Sequence, residues 1–236
     1  MTSEDFYVRN DIVENYDNVR FLGVGGEYVN QKELNAVLEF INDENKETIE
    51  IGPGTGRLTA ELIRKTKNLV LFDNSNTMLN LLKDKFKNKK IEFIQGDVRN
   101  MQIDKLFDYH ISLRVFIHLN EAELNQALQS AHKILKKEGY LLFDTLNSRS
   151  LYPIIKPVSL FKSKFPYNHF INEKRMKEII RKNGFEVVGI KRIFVIPKFI
   201  MRYAPVFKKY IIKLNEVLEK KFPKITTHTF WKVRKK

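Results

Sequence analysis

The chain has 236 residues, of which 43% are apolar; that is enough for one domain with a sizeable core and too apolar for a chain that stays unfolded. It contains no cysteine, which excludes disulfides, thiolate metal sites, iron–sulfur clusters and a cysteine nucleophile, and its scattered histidines lack paired ligand spacing, so no metal is expected. The net charge of +14 is unevenly spread: residues 1–150 hold 20 basic and 23 acidic side chains, and residues 151–236 hold 22 and 5.

The start, Met1-Thr-Ser-Glu-Asp-Phe, is acidic and lacks the basic-then-apolar pattern of a secretory signal. No apolar run approaches the ~18 residues of a membrane span, so a soluble, cytoplasmic protein is expected. Residues 1–46 read as a mainly helical cap, with Gly23–Gly26 as a bend between helical pieces. Short β-rich runs then alternate with amphipathic stretches. The predicted strands are Thr48–Ile51, Leu69–Phe72, Ile91–Ile94, Tyr109–Leu113 and Tyr140–Phe143, and the helices between them Arg57–Lys65, Thr77–Lys87 and Glu121–Lys136. Compact aliphatic strands separated by helices argue for βαβ units, a parallel sheet and right-handed crossovers. A further helix, Glu173–Lys182, leads into a long strand, Phe185–Ile196, and Thr226–Val233 is also β-rich. Strands paired without a short helix between them suggest an antiparallel edge. Residues 197–224 form an insert between these last two strands, in which Val206, Phe207, Ile211, Leu214, Leu218 and Phe222 recur at helical spacing. The domain proper spans 47–236.

The sharpest motif is Glu50-Ile51-Gly52-Pro53-Gly54-Thr55-Gly56-Arg57-Leu58, placed after a strand and before a helix. Alternate glycines permit tight turning and close approach of a ligand to the backbone. A phosphate-binding P-loop would end in Gly-Lys-Ser/Thr, which is absent. The dinucleotide fingerprint would place its third glycine where Arg57 stands.

Glu50-x-Gly52-x-Gly54-x-Gly56 resembles motif I of the class I S-adenosylmethionine-dependent methyltransferases, a family with a doubly wound, mostly parallel seven-stranded Rossmann-like α/β sheet and an antiparallel last strand. Three later segments agree in order. Asp73 ends the second strand 21 residues after Gly52, and Phe72-Asp73-Asn74-Ser75-Asn76-Thr77-Met78-Leu79 is similar to the family's continuation. Gln95-Gly96-Asp97-Val98 and Phe107-Asp108-Tyr109-His110-Ile111-Ser112-Leu113-Arg114 look like the next two motifs.

The resemblance implies S-adenosyl-L-methionine as cofactor. The glycine loop with Glu50 would cradle it, Asp73 and Asn74 would hold the ribose, and Asp97 and Val98 would face adenine. Leu113 and Arg114 would stand beside the methionine part, although Arg114 departs from the small or apolar residue usual there. Tyr16 and Arg20 are similar to helix residues that cover the cofactor. Two vicinal hydroxyls offer two donors to one carboxylate, so an acid at position 73 makes physical sense. His118, just beyond the fourth strand, is a candidate general base.

The lysine-rich insert and the mixed apolar and basic segment from Tyr152 suit a lipophilic or small-molecule acceptor near an anionic membrane surface. Two other readings remain open. The basic third could be the footprint of an RNA methyltransferase, or the chain could bind the cofactor without turnover.

Overall fold

The computed structural model describes residues 23–43, 45–152, 168–198, 200 and 208–236. Tyr16, Arg20, the segment after Tyr152 up to residue 167, and Pro205, Val206 and Phe207 lie outside the described residues. In chain order the elements are α1 (Gly23–Leu38), β1 (Glu47–Ile51), α2 (Arg57–Leu62), β2 (Asn68–Asp73), α3 (Asn76–Lys85), β3 (Ile91–Gln95), β4 (Phe107–Ser112), α4 (Glu121–Ile134) and β5 (Leu135–Asn147). They continue with β6 (Phe170–Ile171), α5 (Glu173–Lys182), β7 (Phe185–Ile193), α6 (Lys208–Lys221) and β8 (His228–Lys235).

The strands form one sheet in the order β3-β2-β1-β4-β5-β8-β7. β1 to β5 pair in parallel, whereas β8 runs antiparallel to both β5 and β7. The antiparallel strand is therefore internal, with β7 at the edge. Seven strands lie on this path; an eighth, the two-residue β6, pairs with the end of β5 at Leu146 and Asn147. Strand order reverses between β1 and β4, and in open α/β sheets the crevice beyond the carboxyl ends of the strands at such a point is where ligands bind.

Alternation along each central strand sends side chains to two cores, because successive residues point to opposite faces. Ile49, Ile51, Val70 and Phe143 pack under α4 and α5, with Leu128, Ile180 and Trp231. Leu69, Leu71, Tyr109, Ile111 and Leu142 pack on the other face with Val37 of α1, Leu58 and Leu62 of α2, and Leu82 of α3. Helix starts are capped where the sequence supplies a short polar side chain. Ser75 accepts from the Met78 N–H, and Asn120 forms a reciprocal capping box with Glu123.

Two expectations change. Gly23–Gly26 is not a bend: it is the first turn of α1. Glycine costs about 1 kcal/mol each in a helix, but α1 buries Val29, Leu34, Val37 and Glu33 against the sheet, and tertiary burial outweighs that local preference. β5 begins five residues before the predicted Tyr140, directly after α4. Its early part is irregular, with Glu138 at φ +62° and a register shift against β4, so no aliphatic alternation marks it in the sequence.

Candidate active site

β1 delivers its last residues into the Gly52–Gly56 turn, where the three glycines hold φ of +62°, +56° and +81°. Side chains other than glycine rarely adopt these angles. Gly52 is further constrained by a neighbour: a Cβ there would stand 2.2 Å from Val115 Cγ2. Gly54 is the opposite case. A Cβ on Gly54 would meet nothing within 4 Å, so its bare backbone faces open space. That space is a cleft of roughly 170 Å³. It is lined by the glycine loop, Asp73 and Asn74 after β2, Asp97 and Val98 after β3, and Leu113, Arg114 and His118 after β4.

Among the sequence-predicted residues, Glu50, Gly52, Gly54, Asp73, Asn74, Asp97, Val98, Leu113, Arg114 and His118 all line this one cleft. Gly56 lies behind it, because a Cβ there would meet Leu82 and Phe86 of the next layer.

The carboxylates differ in their electrostatics. Asp73 is 9% exposed, and one oxygen accepts the Ser75 N–H at 2.8 Å. Burial dominates over its backbone donors and pushes it up to about 6. Glu50 is buried and accepts the Thr59 hydroxyl at 2.7 Å; burial pushes it up to about 7. Asp97 caps the short 3₁₀ turn Val98–Asn100 and is gripped by Arg99, whose backbone N–H and guanidinium both donate to it. Burial opposes its charge, yet Arg99 holds it below the usual carboxylate range. His118 closes a 3₁₀ turn, Phe116–His118, with its ring half-buried at the cleft.

The wall beside this cleft contains a cluster the sequence did not reveal. Glu33 of α1 is fully buried. Lys198 Nζ lies 2.6 Å from it, Arg114 Nη1 3.0 Å and Arg57 Nη2 3.3 Å. Burial opposes the Glu33 charge, but the three cations hold it well below the usual range. Arg114 sits at φ +68°, and its backbone N–H donates to Asp144 at 2.6 Å. The other Asp144 oxygen is 3.2 Å from His228 Nδ1, and burial depresses His228 to about 4. Arg57 and Arg114, the two residues that look out of place in the motifs, are thus both tied to one acid 24 and 81 positions earlier in the chain. Separations this large leave no local signal.

His110, in the fourth motif, is a core residue. It is fully buried beside Phe116, burial pushes it down to about 3, and neither ring nitrogen has a hydrogen-bond partner among the described residues.

The cleft suits an adenosine-like ligand on two grounds visible in the protein alone. Gly54 leaves a bare backbone cradle that a Cβ would fill, and Asp73 is a buried carboxylate whose protein donors do not offset its desolvation, as an acceptor kept for ribose hydroxyls would be.

Comparison with known proteins agrees. Residues 49–139 match the family model described as a methyltransferase domain. The chain is similar to a ribosomal RNA small subunit methyltransferase A of Mycoplasma capricolum, 26% identical over 212 residues and covering 80% of this chain and 79% of that protein. It is also similar to a malonyl-[acyl-carrier protein] O-methyltransferase of Priestia megaterium, 26% identical over 185 residues and covering 72% of this chain and 65% of that one. Among solved structures, magnesium protoporphyrin IX methyltransferase from Synechocystis PCC 6803 with bound SAH has a TM-score of 0.69 at 13% identity, over 98% of this chain and 97% of that one. That likeness speaks for the fold. Residues 49–139, which begin with the glycine loop and run through all four motifs, thus match a methyltransferase domain, and the sheet around them has the fold of methyltransferases of solved structure.

Proposed function

We propose that the chain transfers a methyl group from S-adenosyl-L-methionine, held in the cleft beside Gly54, to a small-molecule or lipid-type acceptor. The observation that carries the cofactor half is Asp73: a buried strand-end carboxylate without a compensating cation among the described residues, facing a glycine cradle. Asp73 and Asn74 hold the ribose in this reading, Asp97 and Val98 border the adenine, and Glu50 supports the loop through Thr59. Leu113 and Arg114 border the methionine part. Tyr16 and Arg20 are proposed as further cover for it.

When bound, S-adenosylmethionine supplies a methyl carbon already activated by its positive sulfur. The work left to the protein is alignment, water exclusion and, for a protic acceptor, removal of one proton. His118, at the cleft after β4, is the proposed proton acceptor. Residues 1–46 serve in this reading as a cap on the domain 47–236, and the ion pairs of Glu33 on α1 with Arg57 and Arg114 support its seat beside the cleft.

The acceptor reading rests on the alternation of apolar and lysine residues in the insert and on the relative named for an acyl-carrier substrate. RNA is the second reading, favoured by the relative named for ribosomal RNA and by the basic C-terminal third. Radiolabelled cofactor incubated with separate lipid, small-molecule and RNA fractions of a cell extract decides between them. Label in the lipid or small-molecule fraction supports the proposal, and label in RNA alone overturns its acceptor half. Calorimetric binding of S-adenosylhomocysteine without transfer to any fraction would leave a cofactor-binding module. No binding at all would overturn the whole reading.

A further inference from the structure

We infer that the outward face of α6 is a docking surface for an anionic lipid bilayer. The inner side of this helix is firmly tied to the domain. Glu219 accepts the Phe194 N–H at 2.6 Å and pairs with Lys32 of α1 at 2.6 Å. Asn215 is fully buried, accepts the Ile196 N–H at 3.0 Å and donates to Tyr28 and Glu219. Ile211 packs on the core beneath α1. These anchors fix the rotation of α6, and so decide which residues face out.

What faces out is an apolar ridge. Tyr210, Leu214 and Val217 follow one another at i, i+4 and i+7 with exposures of 76%, 51% and 46%, and Phe222, just past the helix end, is 50% exposed. A single exposed leucine is ordinary; an aligned series of large apolar groups is not, and calls for a partner. Lys209, Lys213, Lys220, Lys221 and Lys224 are exposed around it, against one exposed acid, Glu216. The other acid of the helix, Glu219, is turned inward and neutralised by Lys32.

This pattern selects the occupant. An apolar ridge bordered by lysines lets the hydrocarbon parts enter the head-group boundary while the ammonium ends reach lipid phosphates. A second copy of the chain would bring lysine against lysine. Unpaired RNA bases are met chiefly by stacking on aromatic rings and arginine planes, α6 contains no arginine and one aromatic residue, and an apolar ridge has no counterpart on the polar, phosphate-lined surface of a duplex. The surface adjoins α1, whose Glu33 is bonded to two residues lining the cleft, so docking there would hold the cleft close to a lipid phase. The inference concerns where the protein sits, and stands apart from which acceptor it methylates.

The test is co-sedimentation of the full chain with phosphatidylcholine vesicles, with or without ~30 mol% phosphatidylglycerol. Binding to the anionic vesicles alone, released by ~0.5 M salt, is expected because the lysine contribution is screened. Leu214→Glu combined with Val217→Glu should cut the bound fraction by about tenfold or more, as should Lys213→Glu combined with Lys220→Glu. All four positions are exposed, so melting and S-adenosylhomocysteine binding should stay as in the wild type. Failure to bind anionic vesicles overturns the inference, and so does a Leu214/Val217 variant that binds like the wild type. Salt-sensitive binding to RNA with no vesicle binding would assign the lysines to nucleic acid instead. A concentration-dependent dimer abolished by Leu214→Glu would make the ridge a self-interface. Because cofactor binding is read separately, failure here is distinguishable from failure of the methyltransferase reading.

Discussion

Two buried carboxylates at the same end of the sheet meet opposite electrostatic fates. Glu33 is enclosed by Lys198, Arg114 and Arg57, and they hold it well below the usual range. Asp73 has backbone N–H donors but no neighbouring cation among the described residues, and burial lifts it to about 6. The protein compensates the first charge itself and leaves the second under-compensated. A carboxylate of the first kind joins elements together; one of the second kind gains most from a ligand that brings donors. Glu33 accordingly reads as the joint between α1, the glycine-loop helix and the end of β4, and Asp73 as the ligand acceptor proposed above.

The largest expected effect breaks the first half of this contrast. Glu33→Gln would leave three half-buried cations around a neutral amide, and removing one partner of a buried charge cluster typically costs about 3–5 kcal/mol. Chemical denaturation of the variant measures this. A loss under ~1 kcal/mol would mean that the cations find water easily and the joint is weak.

The second prediction runs the other way. Folding raises Asp73 from 3.8 to about 6, so between those values the native state binds more protons than the unfolded chain, and stability falls as pH rises through that window. Above it the full penalty applies, at about 3 kcal/mol from the size of the shift. Asp73→Asn should therefore stabilise the ligand-free protein at pH 7 by up to that amount, while weakening S-adenosylhomocysteine binding about ten- to a hundredfold. In the wild type the affinity should also fall below pH ~6, by about tenfold per unit as the carboxyl protonates, and the Asn variant should lose that dependence. Thermal melts and calorimetry across pH check both. A variant less stable than the wild type would show that the charge is already satisfied without ligand.

The smallest effect on stability sharpens the comparison within the loop. Gly54→Ala meets no neighbour, so its cost is the strained positive φ alone, about 1 kcal/mol. Gly52→Ala must also displace Val115 and should cost more. If Gly54 faces the cofactor, its alanine variant should nevertheless lose binding out of proportion to its small stability loss. Wild-type affinity in that variant would place the ligand elsewhere.

Most of the sheet and most residues lining the cleft were legible in the amino-acid order. β1 to β4 were readable because each is a short run of β-favouring residues bounded by turn or charged residues, and Glu173–Lys182 agreed at both ends because Asn172 caps its start and Asn183-Gly184 ends it. Glu50, Gly52, Gly54, Asp73, Asp97 and His118 were legible because each lies in or just beyond a strand end, where the topology of a parallel sheet brings loops together. These signals are local, and local patterns survive in one dimension.

Only the tertiary structure decided the rest. Gly23–Gly26 reads as a bend because glycine disfavours helix, yet it opens α1, whose burial outweighs that preference. Helical spacing marked Leu214 and Phe222 as one stripe with Ile211 and Leu218, but the Asn215 and Glu219 anchors rotate α6 so that Ile211 goes to the core and Leu214 to the surface. Glu33 was invisible for the same reason. Its partners stand 24, 81 and 165 positions away, and an ion pair of that kind depends on where three loops meet, which no spacing along the chain encodes.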